Sequence, residues 1–509
     1  LNIPRKRLVA AGLALMLLAS ACGDDGGDNT SDTTPGTTAA GGSATTAAAK
    51  NTASDTGVTA DTIKIAIHSS DLSGLIKAGA IKGVPEDAGP ENAKRISYYL
   101  DQWNAAGGIN GRKFTYEWVS WDPADPKSYQ TSCQKVIDGK FFMVISAGGG
   151  FPADTIPCIT NEGKTMYFAL DSASARQFKE ANGNLLGIAP PGAASAQVGA
   201  LSLANNTTLG LKSGKVAILR GDNEFQADAF TEAEKVFKAQ GINIVFSDAI
   251  KIANIPATEQ LKNVALSVEK VKAAGATHVV NMIQFTAFGS FPVEATKAGL
   301  NLKYAFIDIS SGMCQTFTAS QLPASLEGAP CTTHWNNMRW DTTGTVATDT
   351  PAEAQCRKDY EATYGGKPVG KDFPVYTKSN PGVAYPGIKD GQGKQIDMDQ
   401  SYYECGMMAV VKAGFEGAGA NLTKKTFQEA IFKKKDFEAP GLAGGKGSMS
   451  ANKPWLASNV QEIVVTTNPD GFKAGPDSKG LYGPGRCPSP LGCWRTVANS
   501  TKPLTFTLS

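Results

Sequence analysis

The sequence predicts an α/β protein of two Rossmann-like lobes, each with a parallel-sheet core, and three observations carry that reading. Strand-like and helix-like segments alternate twice over, from Thr62 to Leu170 and again from Lys215 to Ile307. Runs such as Phe141–Ser146 and Met166–Leu170 are continuously apolar instead of alternating, as strands covered on both faces must be. The two inventories match in kind and order, so a crevice is expected between two similar sheets.

The first lobe opens with the strand Ile63–Ile67, followed by a helix over Glu91–Ala106, a strand over Phe114–Trp121 and a helix over Lys127–Ile137. Phe141–Ser146 and Met166–Leu170 complete its strands. After Pro190 and Pro191 a helical segment leads to the strand Lys215–Leu219, the helix Ala227–Ala239 and the strand Ile242–Phe246. Leu261, Val264, Val268 and Val271 then recur every three or four residues with lysines between them, an amphipathic helix that Gly275 can close in the left-handed conformation. Strand Thr277–Ile283, helix Pro292–Ala298 and strand Tyr304–Ile307 finish the second set. Beyond Ser311 the pattern loosens into turn-rich stretches around helices at Glu353–Thr363 and Tyr402–Phe415, a late strand at Gln461–Thr467 and a Gly/Pro-rich tail.

Ahead of both lobes, basic Leu1–Arg7 precedes an uncharged apolar run, Leu8–Ala19, that is too short to span a bilayer. This is the pattern of an export signal. Small residues lead into Cys22, and Leu18-Ala-Ser-Ala-Cys22 resembles a bacterial lipobox whose cysteine is diacylated, although Ala19 stands where leucine is usual. The alternative is plain secretory cleavage after Ala21. The stretch Gly23–Thr56 is dominated by Gly, Asp, Ser, Thr and Ala with no aromatic residue, and reads as a flexible tether.

Of nine cysteines, Cys22 as lipid carrier leaves eight, an even number in an exported chain. The preferred pairing joins sequence neighbours: Cys133 with Cys158, Cys314 with Cys331, Cys356 with Cys405, and Cys487 with Cys493. Eight cysteines allow about 105 connectivities, so spacing alone leaves others open. The cysteines show no C-x-x-C spacing and the three histidines, His68, His278 and His334, are scattered, so neither a metal nor a cofactor is expected. A net charge of +2, from 49 basic and 47 acidic residues, gives no footprint for nucleic acid.

Several local patterns, in order, resemble the leucine/branched-chain-amino-acid-binding branch of type I periplasmic binding proteins. Gly57-Val-Thr-Ala-Asp-Thr-Ile-Lys-Ile65 is similar to that family's entry into its first strand. Trp103-Asn-Ala-Ala-Gly-Gly-Ile-Asn-Gly-Arg-Lys113 is similar to its most specific helix-to-strand turn, in which Gly107 and Gly108 can end the helix and Asn110-Gly111 can turn into the next strand. Asp122-Pro-Ala-Asp-Pro126, Asp222-Asn-Glu-Phe-Gln226 and the helix beginning Tyr402-Tyr-Glu-Cys405 continue the likeness, which covers Gly57 to Phe472 with an insertion between Gly365 and Gly393.

The resemblance implies three crossovers between the lobes and the division 1–21 signal peptide, 22–56 tether, 57–189 lobe I, 190–310 lobe II, 311–458 return to lobe I, and 459–509 return to lobe II with a stapled tail. It implies a monomeric lipoprotein on the outer side of the bacterial cytoplasmic membrane. Such a protein captures a small polar solute, amino-acid-like or a related amide or carboxylate, by lobe closure, and delivers it to an ABC transporter permease. A non-transporting sensor of the same fold and an inert envelope lipoprotein are the alternatives. Enzyme readings find no G-x-S-x-G elbow and no histidine or paired-acid pattern, so no catalytic residue is expected.

Sheets of this kind bind at the carboxyl ends of their strands. In lobe I that rule selects Ser73, the loop Gly148, Gly149, Gly150 and Phe151, and the pair Ser172 and Ser174; in lobe II it selects Asn223, Phe225, Gln284, Phe285 and Asp308. Glycine amides and the serines suit a carboxylate, Asp308 suits an ammonium, and Phe225 and Phe285 suit an apolar wall. Each has a plainer reading: the glycines as a turn, the serines as helix caps, the phenylalanines as core.

Overall fold

Both lobes are built on parallel sheets of one strand order. A computed structural model describes residues 50–71, 73–74, 88–122, 125, 127–147, 155–170, 172–252, 255–283, 288–309, 313–314, 322–335, 350–363, 401–466, 473–474, 486–487, 493–496 and 504–507. Cys22, the signal and most of the tether, the loops Gly148–Phe151 and Gln284–Phe285, and the inserted stretch lie outside the described residues. So do the side chains of Cys487 and Cys493.

In lobe I, β1 (Thr62–Ser70), β2 (Lys113–Trp121), β3 (Met143–Ser146), β4 (Met166–Ala169) and β5 (Leu185–Gly187) lie in the order β2-β1-β3-β4-β5, all parallel. In lobe II, β6 (Val216–Gly221), β7 (Ile244–Ile250), β8 (His278–Asn281), β9 (Lys303–Ile307) and β10 (Pro330–Thr333) repeat that order as β7-β6-β8-β9-β10. β11 (Asn459–Thr466) joins β10 antiparallel, and β12 (Cys493–Thr496) and β13 (Leu504–Thr507) share its other edge.

The helices are α1 (Ala88–Ala105), α2 (Ser128–Gly139), α3 (Ala175–Glu180), α4 (Gly192–Asn205), α5 (Glu224–Ala239), α6 (Ala257–Ala273), α7 (Ser290–Lys297), α8 (Pro351–Thr363), α9 (Ser401–Ala418) and α10 (Lys424–Lys433).

The apolar strand runs have the cause the sequence implied. Met143 and Ile145 of β3 enter the core on one side of the sheet while Val144 enters the core on the other, so every position is buried. Along α6, Val264, Val268 and Val271 face the lobe II core and Gly275 follows at φ +64°. Leu261, one turn earlier, is 49% exposed, so the buried stripe is shorter than the sequence period.

The signature turn after α1 takes the predicted form, with positive φ at Gly107, Gly108, Asn110 and Gly111. Gly108 admits no side chain, because a Cβ there would lie 2.1 Å from the Arg112 carbonyl oxygen. The turn also places Arg112, fully buried, where its guanidinium donates to the carbonyls of Thr52, Thr59, Gly419 and Ala420. A second buried arginine, Arg95 of α1, makes a two-pronged ion pair with Glu404 of α9, tying the opening of lobe I to the segment that returns to it.

The chain passes between the lobes at three places among the described residues. The first follows β5, the second follows β10 at Thr333–Trp335, and the third leads from Ala457 into β11. They run side by side: the amides of Leu456 and Ala457 donate to Gly187 and Ile188, and the Gln461 side chain donates to the Trp335 carbonyl. The return to lobe I thus comes after Thr333 and not near Ser311, because Pro330–Thr333 still pairs with β9 and β11 in the second sheet. Disulfides join Cys133 to Cys158 in lobe I and Cys314 to Cys331 in lobe II. Cys356 of α8 and Cys405 of α9 stand as thiols within hydrogen-bonding reach of each other.

Candidate functional site

Strand order decides where the crevice opens. In a β2-β1-β3 arrangement the connections leave β1 and β3 toward opposite faces, so the sheet is left uncovered at their carboxyl ends. In lobe I that point lies between Ser69–Ser73 and Ala147. In lobe II it lies between Asp222–Asn223 and Met282–Ile283. The ends of the fourth strand of each lobe, Ser172–Ser174 after β4 and Asp308 after β9, flank these points.

In the first lobe, Ser69 is buried and accepts from the Trp118 indole at 2.7 Å. The Ser73 amide donates to Asp71 Oδ1 at 3.0 Å. Beneath them His68 is fully buried, with Nε2 2.9 Å from Ser132 Oγ, and burial holds its imidazole neutral down to about 3. Ser174 caps α3: its Oγ accepts from the Gln177 amide at 3.1 Å and its own amide donates to Gln177 Oε1. The Ser172 hydroxyl oxygen is buried and has no hydrogen-bond partner. The two serines that looked alike in sequence therefore differ: one is spent on a cap and the other holds unused bonding capacity.

In the second lobe, Asn223 caps α5 through Oδ1, which accepts from the Gln226 amide at 2.9 Å. That cap sets the helical phase, and Phe225 turns inward: it is buried in the lobe II core, and a Cβ on Gly192 of α4 would lie 2.4 Å from its ring. Phe225 thus makes a core contact at the first crossover, the plainer of its two readings. Asp308 is fully buried at the end of β9. Its Oδ2 accepts from the Thr333 hydroxyl at 2.9 Å and its Oδ1 from the Met313 amide at 3.4 Å, so it braces the second crossover. Each carboxylate oxygen can accept more than one donor.

His334 and Trp335, which follow β10 directly, were not among the candidate residues selected from the sequence. Both are fully buried, with ring centroids 4.5 Å apart, and Trp335 lies 3.8 Å from the Tyr403 ring of α9. Neither nitrogen of His334 nor the Trp335 indole N–H has a hydrogen-bond partner, and Ser195 of α4 also has an unpaired buried hydroxyl. Burial lowers the His334 pKa to about 3, so the ring offers one donor and one acceptor. The only signal in the sequence was two bulky polar-capable residues closing a buried strand.

A family profile described as periplasmic binding protein matches residues 78–377, more than half of the chain. The chain belongs to the periplasmic binding protein family. Among solved structures it is similar to a solute-binding protein of an ABC transporter from Rhodopseudomonas palustris BisB5 in complex with 3,4-dihydroxybenzoic acid, at 14% identity, 88% of this chain, 98% of that one and a TM-score of 0.57. It is also similar to the leucine-, isoleucine-, valine-, threonine- and alanine-binding protein from Brucella ovis, at 15% identity, 88% and 95% coverage and a TM-score of 0.55. A fatty acid ABC transporter substrate-binding protein from Thermomonospora curvata gives 14% identity, 89% and 98% coverage and a TM-score of 0.53. At these identities the likeness is one of fold. Comparison with curated protein sequences gives no match.

The fold is therefore the type I arrangement of two α/β lobes seen in those structures, and the family's work is solute binding outside the cytoplasm. No helix among the described residues is long and apolar enough to cross a membrane, and no group of metal-ligating side chains gathers among them.

Proposed function

We propose that this periplasmic binding protein is a lipid-anchored lipoprotein that captures a small carboxylate-bearing solute, amino-acid-like or related, by closing its lobes, and hands it to an ABC importer. The observation that carries the reading is the repeated strand order, which sets two uncovered switch points at the carboxyl ends of two parallel sheets in one chain. The unpaired Ser172 hydroxyl at one of the flanking strand ends supports polar recognition there. The ligand class draws on the relatives as well. Dihydroxybenzoic acid, amino acids from leucine to alanine and a fatty acid differ in body and share a carboxylate.

The test is a thermal-shift screen of the mature chain without its lipid, against amino acids, hydroxybenzoates and short fatty acids, each beside its amide. A ligand that binds only the native state raises the melting temperature by mass action. Carboxylates that raise it where their amides do not support the reading. A screen in which the amides alone raise it removes the carboxylate assignment.

A further inference from the structure

We propose that Arg176 and Glu224 form a clasp between the lobes that sets the balance of open and closed forms and, through it, the affinity for solute. The inference rests on lobe closure as the mode of capture and adds the residues that govern it. Arg176 stands on α3, which follows β4 of lobe I; Glu224 is the first residue of α5, which follows β6 of lobe II. Arg176 Nε and Nη2 donate to the two carboxylate oxygens of Glu224, a two-pronged pair reaching from one lobe to the other. Arg176 Nη1 is also 3.2 Å from Glu180 within its own helix, which steers the guanidinium.

Three features separate this contact from an incidental surface pair. First, both side chains are about half exposed, at 51% and 53%, so core packing does not force them together. Second, a cation in the first turn of a helix faces the partial positive charge of that helix, so α3 gains nothing locally from an arginine there, whereas Glu224 suits the start of α5. Third, Arg176 follows closely on Ser172–Ser174 and Glu224 directly follows Asn223, so the pair closes beside the candidate ligand loops of both lobes. Under capture by lobe closure the lobes part to admit a ligand, and parting them here breaks the pair.

The experiment uses the full mature chain with no ligand added. Distance-reporting labels are attached through non-natural residues on exposed positions of α2 and α6, one in each lobe. The distance distribution is recorded at low and high salt for the native protein, Glu224→Gln, Arg176→Gln and the exchanged double variant Arg176→Glu with Glu224→Arg. The expected result is a closed-to-open ratio lowered about two- to fivefold in each single variant, the range of an exposed but well-formed ion pair. High salt should produce the same fall in the native protein and little further change in the single variants, and the exchange should restore the native ratio. Unchanged distributions in the single variants, or an exchanged variant no better than they are, overturn the clasp. Melting temperatures equal to the native value exclude misfolding as the cause. Since no solute is present, a negative result here leaves solute capture standing, while a failed ligand screen removes capture and leaves the clasp measurable.

Discussion

Replacing Arg112 by methionine should destabilise lobe I by about 4 kcal/mol. The guanidinium is fully buried and donates to Thr59 O at 2.9 Å, Thr52 O at 3.0 Å, Gly419 O at 3.2 Å and Ala420 O at 2.6 Å. A hydrogen bond from a charged donor contributes about 1.5–3 kcal/mol, and an orphaned buried carbonyl costs about 1–3 kcal/mol. The four are not additive, because one group makes them all and water can reach the outer carbonyls once it is gone, which brings the sum down to about 4 kcal/mol. Methionine keeps much of the stem volume, so the loss reports the head group. Lysine has one nitrogen in place of a planar fork and should recover about half. Equilibrium urea unfolding at neutral pH, with the slope unchanged, measures both variants. A loss below about 1 kcal/mol for methionine, or a lysine variant equal to the native protein, would refute the view that this side chain ties residues 52–59, the α1–β2 turn and the α9–α10 loop together.

The buried histidines make stability fall on acidification. His68 and His334 stay neutral in the fold down to about 3, whereas an unfolded histidine titrates near 6.5, so between these values the unfolded chain binds protons that the native chain refuses. Stability is then lost as pH falls below about 6.5, by about 2 kcal/mol per histidine at about pH 5. Glu462, raised by burial, takes up a proton in the fold before it does so unfolded and offsets part of that loss. His334→Gln should flatten the pH dependence of unfolding by that single-histidine amount; an unaltered slope contradicts the assignment.

Peptide mapping without reduction should recover Cys133 joined to Cys158 and Cys314 to Cys331, and in exported protein Cys356 joined to Cys405, since their sulfurs already meet and the compartment is oxidising. Alkylation of Cys356 and Cys405 in the purified protein would rule out the third bridge. Cys22→Ala should release the protein from the membrane fraction, and retention there would end the lipid-anchor proposal.

What the sequence disclosed follows from how local each feature is. The turn at Gly107–Gly111 was legible because only glycine and asparagine take positive φ cheaply, and the strands were legible because two-sided burial leaves an unbroken apolar run. The caps at Ser174 and Asn223 were visible as alternatives, yet their consequence for Phe225 was not, since helical phase decides which way the next side chain points. Arg95 with Glu404, 309 residues apart, and Arg176 with Glu224, 48 apart, left no trace in the sequence because only tertiary structure brings their surfaces together. The second crossover was misplaced for a related reason. β10 reads as an ordinary short strand, and its membership of the second sheet rests on partners in β9 and β11, the latter some 130 residues further on.

Solution scattering with and without the ligand found in the carboxylate screen, on one preparation whose stoichiometry is fixed by calorimetry, tests solute capture by lobe closure most directly. One carboxylate per chain with a smaller radius of gyration in its presence is the predicted result. Tight stoichiometric binding that leaves the scattering profile unchanged, or a chain that binds none of the panel, would contradict it.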